Sequence, residues 1–541
     1  MADDTQPALG FAHGANARHL QMQAALEKAW NSTCRVVFGR ELGKLDEYRE
    51  WLSGYLPKSG RRKSYLTGRE VSVAMDAYSP DAAFVSEGEL AQDGGFSLGI
   101  NQIKDLDSIL EGLGERCEYS GNRHLGNSMA VENSDIVIDS QYVANSTNIE
   151  ESRYVDSSFM VRKGSKCIFG SGILGQGEFL VRVVDSFDQK RSFESSIVGF
   201  STDCYFCHNV LSCRDMLFSF GQRSKSYCIA NTPMSREKYL ALKAKILSEV
   251  ADYLQREKSF PSLTELVPAA APAGVKLSLP AKKDAQDMRL IEKGFATTYN
   301  LLLKRQPSSI VDYEQWLAAQ GVDMEGVRTP FGEKAWVPKN LPHFRDFPRA
   351  RVVTMREALE IGKTGAGGKV DGLKSGIAAL SQVAFFTPEL ADGQNMNLVS
   401  FPHAFDVVNA YKGHDGVKGE HIGVSSFALN SKYVYGCYRA IESQFALKCC
   451  NSQYLNRCME MDSCNKCADS YFCHNSEALS ECMFCFNLKG RRYAVGNTVL
   501  PREKYVEVKS AVLAQIEGEI AAKKGLGFSI FDLTGGKGRR A

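Results

Sequence analysis

Written in rows of twelve from Ser431, the chain falls into register as SKYVYGCYRAIE, SQFALKCCNSQY, LNRCMEMDSCNK, CADSYFCHNSEA and LSECMFCFNLKG. The seventh column reads Cys437, Cys449, Met461, Cys473, Cys485, and the fourth reads Val434, Ala446, Cys458, Ser470, Cys482. The first and tenth columns are also small or apolar, whereas the ninth and twelfth are mostly polar. A helix repeats every 3.6 residues and a flat strand every 2, so neither produces this period. A narrow β-solenoid does, with each coil made of two short strands joined by tight turns and stacked on the next coil. Its thin interior selects Ser, Ala, Cys and Val to face inward.

The same period occurs earlier in the chain with serine in place of cysteine. Ser140, Val143, Ser146 and Ile149 are followed by Ser152, Val155, Ser158 and Val161, and the pattern returns as Ser201, Cys204, Cys207 and Val210. Other blocks repeat too. Tyr205-Phe206-Cys207-His208-Asn209 recurs as Tyr471-Phe472-Cys473-His474-Asn475, and Arg236-Glu237-Lys238-Tyr239 as Arg502-Glu503-Lys504-Tyr505, both 266 residues on. Repeats in the same order identify a tandem duplication. The expected fold is mixed α and β, a duplicated helix-containing head, narrow twelve-residue β-solenoid and C-terminal capping helix. The boundaries read as head 18–132, solenoid 133–234, capping helix 235–257, Pro/Ala-rich linker 258–284, head 285–423, solenoid 424–500, capping helix 501–523 and tail 524–541.

The coil spacing resembles the twelve-residue, cysteine-bearing coils of beetle antifreeze proteins, which implies a coil geometry but no ice activity, since no flat threonine ladder is present. The short cysteine-rich repeats and their closing motif, Arg491-Arg492-Tyr493 through Asn497 to Arg502-Glu503-Lys504-Tyr505, resemble an uncharacterised family of candidate-phylum bacteria. Some of its members carry a CaiB/BaiF label, yet nothing in this sequence resembles a CoA-transferase. The resemblance covers about Ser140 to Leu240 and Ser431 to Leu513 and implies no known chemistry.

Sixteen cysteines invite a chemical reading. Cys464, Cys467, Cys482 and Cys485 form two Cys-x2-Cys pairs separated by 14 residues, close to a four-cysteine zinc site. They also occupy inward columns that elsewhere hold Ser, Ala or Val, so packing as small buried hydrophobes is the leading expectation and zinc the alternative. Cys204-Tyr205-Phe206-Cys207-His208 matches a c-type haem attachment pattern, but its copy at Ser470 to His474 lacks the first cysteine. Gly362 to Lys369 is glycine-rich without phosphate-loop spacing.

Composition narrows the function classes. A net charge of +2 gives no reason to expect a nucleic-acid coat. No apolar run approaches the roughly 18 residues of a membrane span, and the opening MADDTQPALGFAHG lacks a secretory pattern, so a cytoplasmic location, or a particle assembled there, is expected. No nucleophile, base and oxyanion donor assemble into a recognisable site. The expectation is a non-enzymatic scaffold that engages protein partners or its own copies and needs no cofactor, one version being a bacteriophage or other particle component. A zinc-binding interaction module and an enzyme with its site in the heads are the alternatives, with no small-molecule substrate specified.

Overall fold

Along most of the stretch from Ala130 to Ala230, every third residue has a left-handed backbone, as at Ile136 (φ 55°), Asp139 (47°), Tyr142 (55°), Asn145 (50°) and Asn148 (57°). The residue after each such corner points inward and is buried, as are Ser140, Val143, Ser146 and Ile149. The second copy repeats the rhythm from Asn397 onward. The computed structural model describes residues 8–57, 60–90, 95–277, 279, 286–448 and 456–533. Cys449 and Cys450, and the basic cluster Lys537 to Arg540, lie outside the described residues.

The narrow β-solenoid of two straight strands per coil is not what forms. Side chains on a straight strand alternate every two residues, so inward positions three apart require one residue of each triplet to leave the β region. The chain therefore turns repeatedly, and its strands build a wide, barrel-like wall. In the first copy they belong to one 15-stranded sheet. Ten strands follow one another from His124–Leu125 through Asp135–Ile138, Thr147–Glu150, Phe159–Arg162 and Gly172–Gly175 to the 28-residue strand Glu178–Tyr205. The path returns through Lys166–Phe169, Arg153–Asp156, Gln141–Ala144 and Met129–Glu132, leaving the wall nearly closed. Pairing is parallel apart from one antiparallel contact, Cys228 with Pro233. Most partners are twelve residues apart, such as Val143 with Val155, and the second wall shows the same offset between Val434 and Ala446. Strand pairing in both walls starts upstream of the boundaries at 133 and 424, at His124 and Leu390.

Serine ladders line the first wall. Ser140 Oγ donates to Ile138 O at 2.8 Å and accepts from Ser152 N at 3.0 Å, and Ser146 Oγ does the same between Ala144 O and Ser158 N. Beside them Val137, Val143, Ile149, Val155, Val161 and Ile168 fill the interior. In the second wall Cys458, Cys464, Cys467, Cys473, Cys482 and Cys485 take corresponding inward places. Cysteine can replace serine because it makes the same pair of contacts. Cys213 Sγ donates to Leu211 O at 3.2 Å and accepts from Lys225 N at 3.3 Å.

The heads do not simply cover the ends of their own walls. The opening helix Ala8–Phe38 lies on the first wall, with Trp30 against Phe169 and Phe38 against Phe193. The later part of that head, from Val71 to Tyr119, instead shares a core with the second wall. The second copy reciprocates. Its helix Met288–Leu303 packs on the second wall, while Val322 to Leu390 joins the core of the first. Gly362 and Gly221 meet backbone to backbone across this contact, where a Cβ on either would strike the other copy's carbonyl oxygen. The glycine-rich stretch is thus a close-packing device, and Ala366 N donates to Ala230 O at 3.0 Å.

Helices Arg236–Glu257 and Arg502–Lys523 follow the walls, and the chain's last described segment packs on the first copy's head. Ile530, Phe531 and Leu533 are buried, Tyr119 Oη donates to Ile530 O at 2.7 Å, and Ser79 N donates to Phe531 O at 3.0 Å. Among the described residues, no helix is long and apolar enough to cross a membrane.

Candidate functional site, a buried histidine and aspartate cluster

The repeated Tyr-Phe-Cys-His-Asn motif places one histidine on each wall, and both are fully hydrogen-bonded. His208 Nε2 accepts from Thr387 N at 3.0 Å and its Nδ1 meets Ser196 Oγ at 2.7 Å. His474 Nε2 accepts from Ser120 N at 3.0 Å and its Nδ1 donates to Asp462 Oδ2 at 2.6 Å, where Tyr78 Oη also donates at 3.1 Å. Thr387 and Ser120 belong to the exchanged heads, so each histidine pins the other copy's head to its wall. Burial drives the His208 imidazole down to about 3 and lowers that of His474, so both are neutral.

A second set of histidines behaves differently. Asp185 comes from the long strand of the first wall, His403 and His414 from the long strand His403–Leu429 of the second, and His343 from the short helix Pro342–Arg345 of the exchanged head. Donor atoms of Asp185, His403 and His414 all lie within 4.8 Å of one another. His403 Nδ1 is 3.7 Å from Asp185 Oδ1 and 3.5 Å from Asp415 Oδ1. His414 Nε2 stands 3.6 Å, and His343 Nε2 4.0 Å, from Asp185 Oδ2. These separations are too long for hydrogen bonds. All six ring nitrogens of the three histidines, and Asp185 Oδ2, are buried without a hydrogen-bond partner.

The electrostatics fit a cation-seeking pocket. Burial works against an ionised Asp185, yet His403, His343 and His414 facing it hold its carboxyl well below the usual range. Burial lowers His403, against the opposing pull of Asp185 and Asp415. Apolar rings surround the cluster, with Phe344 edge-on to His414 at 5.1 Å and Phe405 edge-on to His403 at 5.4 Å. Imidazole nitrogens and a carboxylate converging in a buried site are the donor set of a divalent transition-metal ion. Hard cations prefer an all-oxygen shell.

The duplication made this site once. Gly126 and Gly393, like Asp139 and Asp406, are 267 residues apart, and each aspartate accepts at 2.8 Å from the residue after the glycine, Asn127 N and Gln394 N. On that alignment His403 and His414 correspond to Ile136 and Thr147, which cannot supply imidazoles.

The four cysteines read as a zinc alternative are placed differently. Cys464, Cys467, Cys482 and Cys485 are not among the donors that converge in the described residues. Their thiols donate to backbone carbonyls, Cys464 to Cys473 O at 3.1 Å, Cys467 to Asn465 O at 3.4 Å, Cys482 to Ser480 O at 3.4 Å and Cys485 to Met483 O at 3.4 Å. Burial raises the Cys464 and Cys485 thiols, and the neighbouring Cys485 raises Cys482, which disfavours the thiolates that zinc needs. In the haem-like pattern, Cys207 Sγ donates to Tyr205 O at 3.3 Å, and His208 is committed to Thr387.

Sequence reasoning passed over Asp185, His343, His403 and His414 because they come from three distant segments outside the repeated motifs. One signal was available. His403 and Asp415 are twelve residues apart, so extending the period upstream of 424 would have stacked them on neighbouring turns. No protein-family model, curated protein or solved structure matches this chain.

Proposed function

We infer that this chain is a non-enzymatic scaffold, two interlocked walls that present rigid outer faces to protein partners or to further copies. The reciprocal exchange of heads supports this reading most directly. Asn209 Nδ2 donates to Glu389 O at 3.0 Å on one side and Asn487 Nδ2 to Glu118 O at 3.1 Å on the other, so each half completes the other. His208, His474 and the Asp185 cluster are buried in contacts between the two copies, where they brace the molecule.

Crosslinking and mass photometry of the protein purified from its source test the proposal. The expected result is an assembly of fixed stoichiometry, either of this chain alone or with a protein partner. A strictly monomeric chain without a stoichiometric partner overturns it.

A further inference from the structure

Six partnerless imidazole nitrogens in one buried cluster are costly, since a buried polar atom without a partner loses its hydration and gains nothing in return. The two motif histidines, His208 and His474, are by contrast fully hydrogen-bonded. The cluster around Asp185 therefore calls for something that its own side chains do not supply.

We propose that Asp185, His343, His403 and His414 hold one four-coordinate divalent transition-metal ion of the zinc type, which locks the two walls and the exchanged head together. The spacing agrees. Bonds of about 2.1 Å in a tetrahedral shell put donor atoms about 3.4 Å apart; the donor atoms of Asp185, His403 and His414 lie within 4.8 Å of one another, and His343 Nε2, 4.0 Å from Asp185 Oδ2, stands just outside that set and closes the shell by a small side-chain turn. The donor chemistry agrees as well, because a carboxylate and imidazole nitrogens are the ligand types of zinc. Asp415 Oδ1, 3.5 Å from the same His403 Nδ1, places a second carboxylate beside the site.

The placement assigns a structural role. Asp185 is on the first wall, His403 and His414 are on the second, and His343 is on the head segment that crossed over. One ion at their centre joins all three pieces, and the burial of all four side chains leaves no position for substrate. Four protein ligands in a closed site are the pattern of structural zinc.

Elemental analysis and thermal melts of the whole chain test the proposal. The purified protein should carry about one transition-metal ion, a chelator should remove it with a fall in Tm, and Zn2+ alone should restore both. Co2+ added to the stripped protein should give the intense visible bands of four-coordinate cobalt. Asp185→Asn and His343→Gln, which keep size and shape, should lose most of the metal with far-UV circular dichroism unchanged. Two results would overturn the proposal. One is wild-type protein that neither carries an ion nor gains stability from added Zn2+. The other is metal that survives in a His403→Ala/His414→Ala double variant but is lost in Cys464→Ser/Cys482→Ser, which would move the site to the cysteines.

Discussion

A hydroxyl inside the wall does two jobs, donating to the carbonyl two residues back and accepting from the amide one turn ahead. Ser140 does this between Ile138 O and Ser152 N, and Cys213 between Leu211 O and Lys225 N. Cys213→Ser should therefore change stability by less than about 1 kcal/mol, whereas Ser140→Ala should cost about 1–3 kcal/mol by stranding the Ser152 amide. Urea melts would measure both. Cys473→Arg, by burying an unpaired charge where no space exists, should abolish the cooperative transition. His208 contributes to the pH dependence. Its folded pKa of about 3 lies below the unfolded value, so the unfolded chain binds more protons between these values. The stability it confers is complete above about pH 6.5 and should fall by roughly 2 kcal/mol by pH 5. Melts of wild type and His208→Gln across this range should show a shallower slope in the variant.

At the scale of the strand and its corners, the sequence carried the period but not the cross-section. Inward positions three apart were legible in Ser140, Val143 and Ser146, yet nothing in those letters says that Ile136, Tyr142 or Glu151 adopts a left-handed backbone. Such corners normally favour glycine or asparagine. They persist here because each turn is hydrogen-bonded to its neighbours, as when Glu151 N donates to Ile138 O at 3.0 Å. Exposed Glu151, at φ 47°, offers a test. Glu151→Gly should be neutral or stabilising by up to about 1 kcal/mol, and Glu151→Val should cost about 1 kcal/mol or more, read from shifts in Tm.

At the scale of the whole molecule, the exchange of heads makes the halves interdependent. Residues 1–277 and 286–541 expressed separately should lack a cooperative melt, and mixing them should restore one, as calorimetry would show. Removing the last segment from Leu526 onward should cost on the order of 5 kcal/mol, since it uncovers the sites of buried Ile530, Phe531 and Leu533. The sequence alone determined the duplication, the twelve-residue register and the interchange of serine with cysteine, because these depend on contacts at fixed offsets along the chain. Only the tertiary structure decided which wall each head covers, that the tail folds back, and that Asp185 meets His343, His403 and His414. The Asp185 contacts join residues 158 to 229 positions apart and the tail meets Tyr119 across 411, and no local period encodes a meeting between surfaces that are brought together only after both walls have formed.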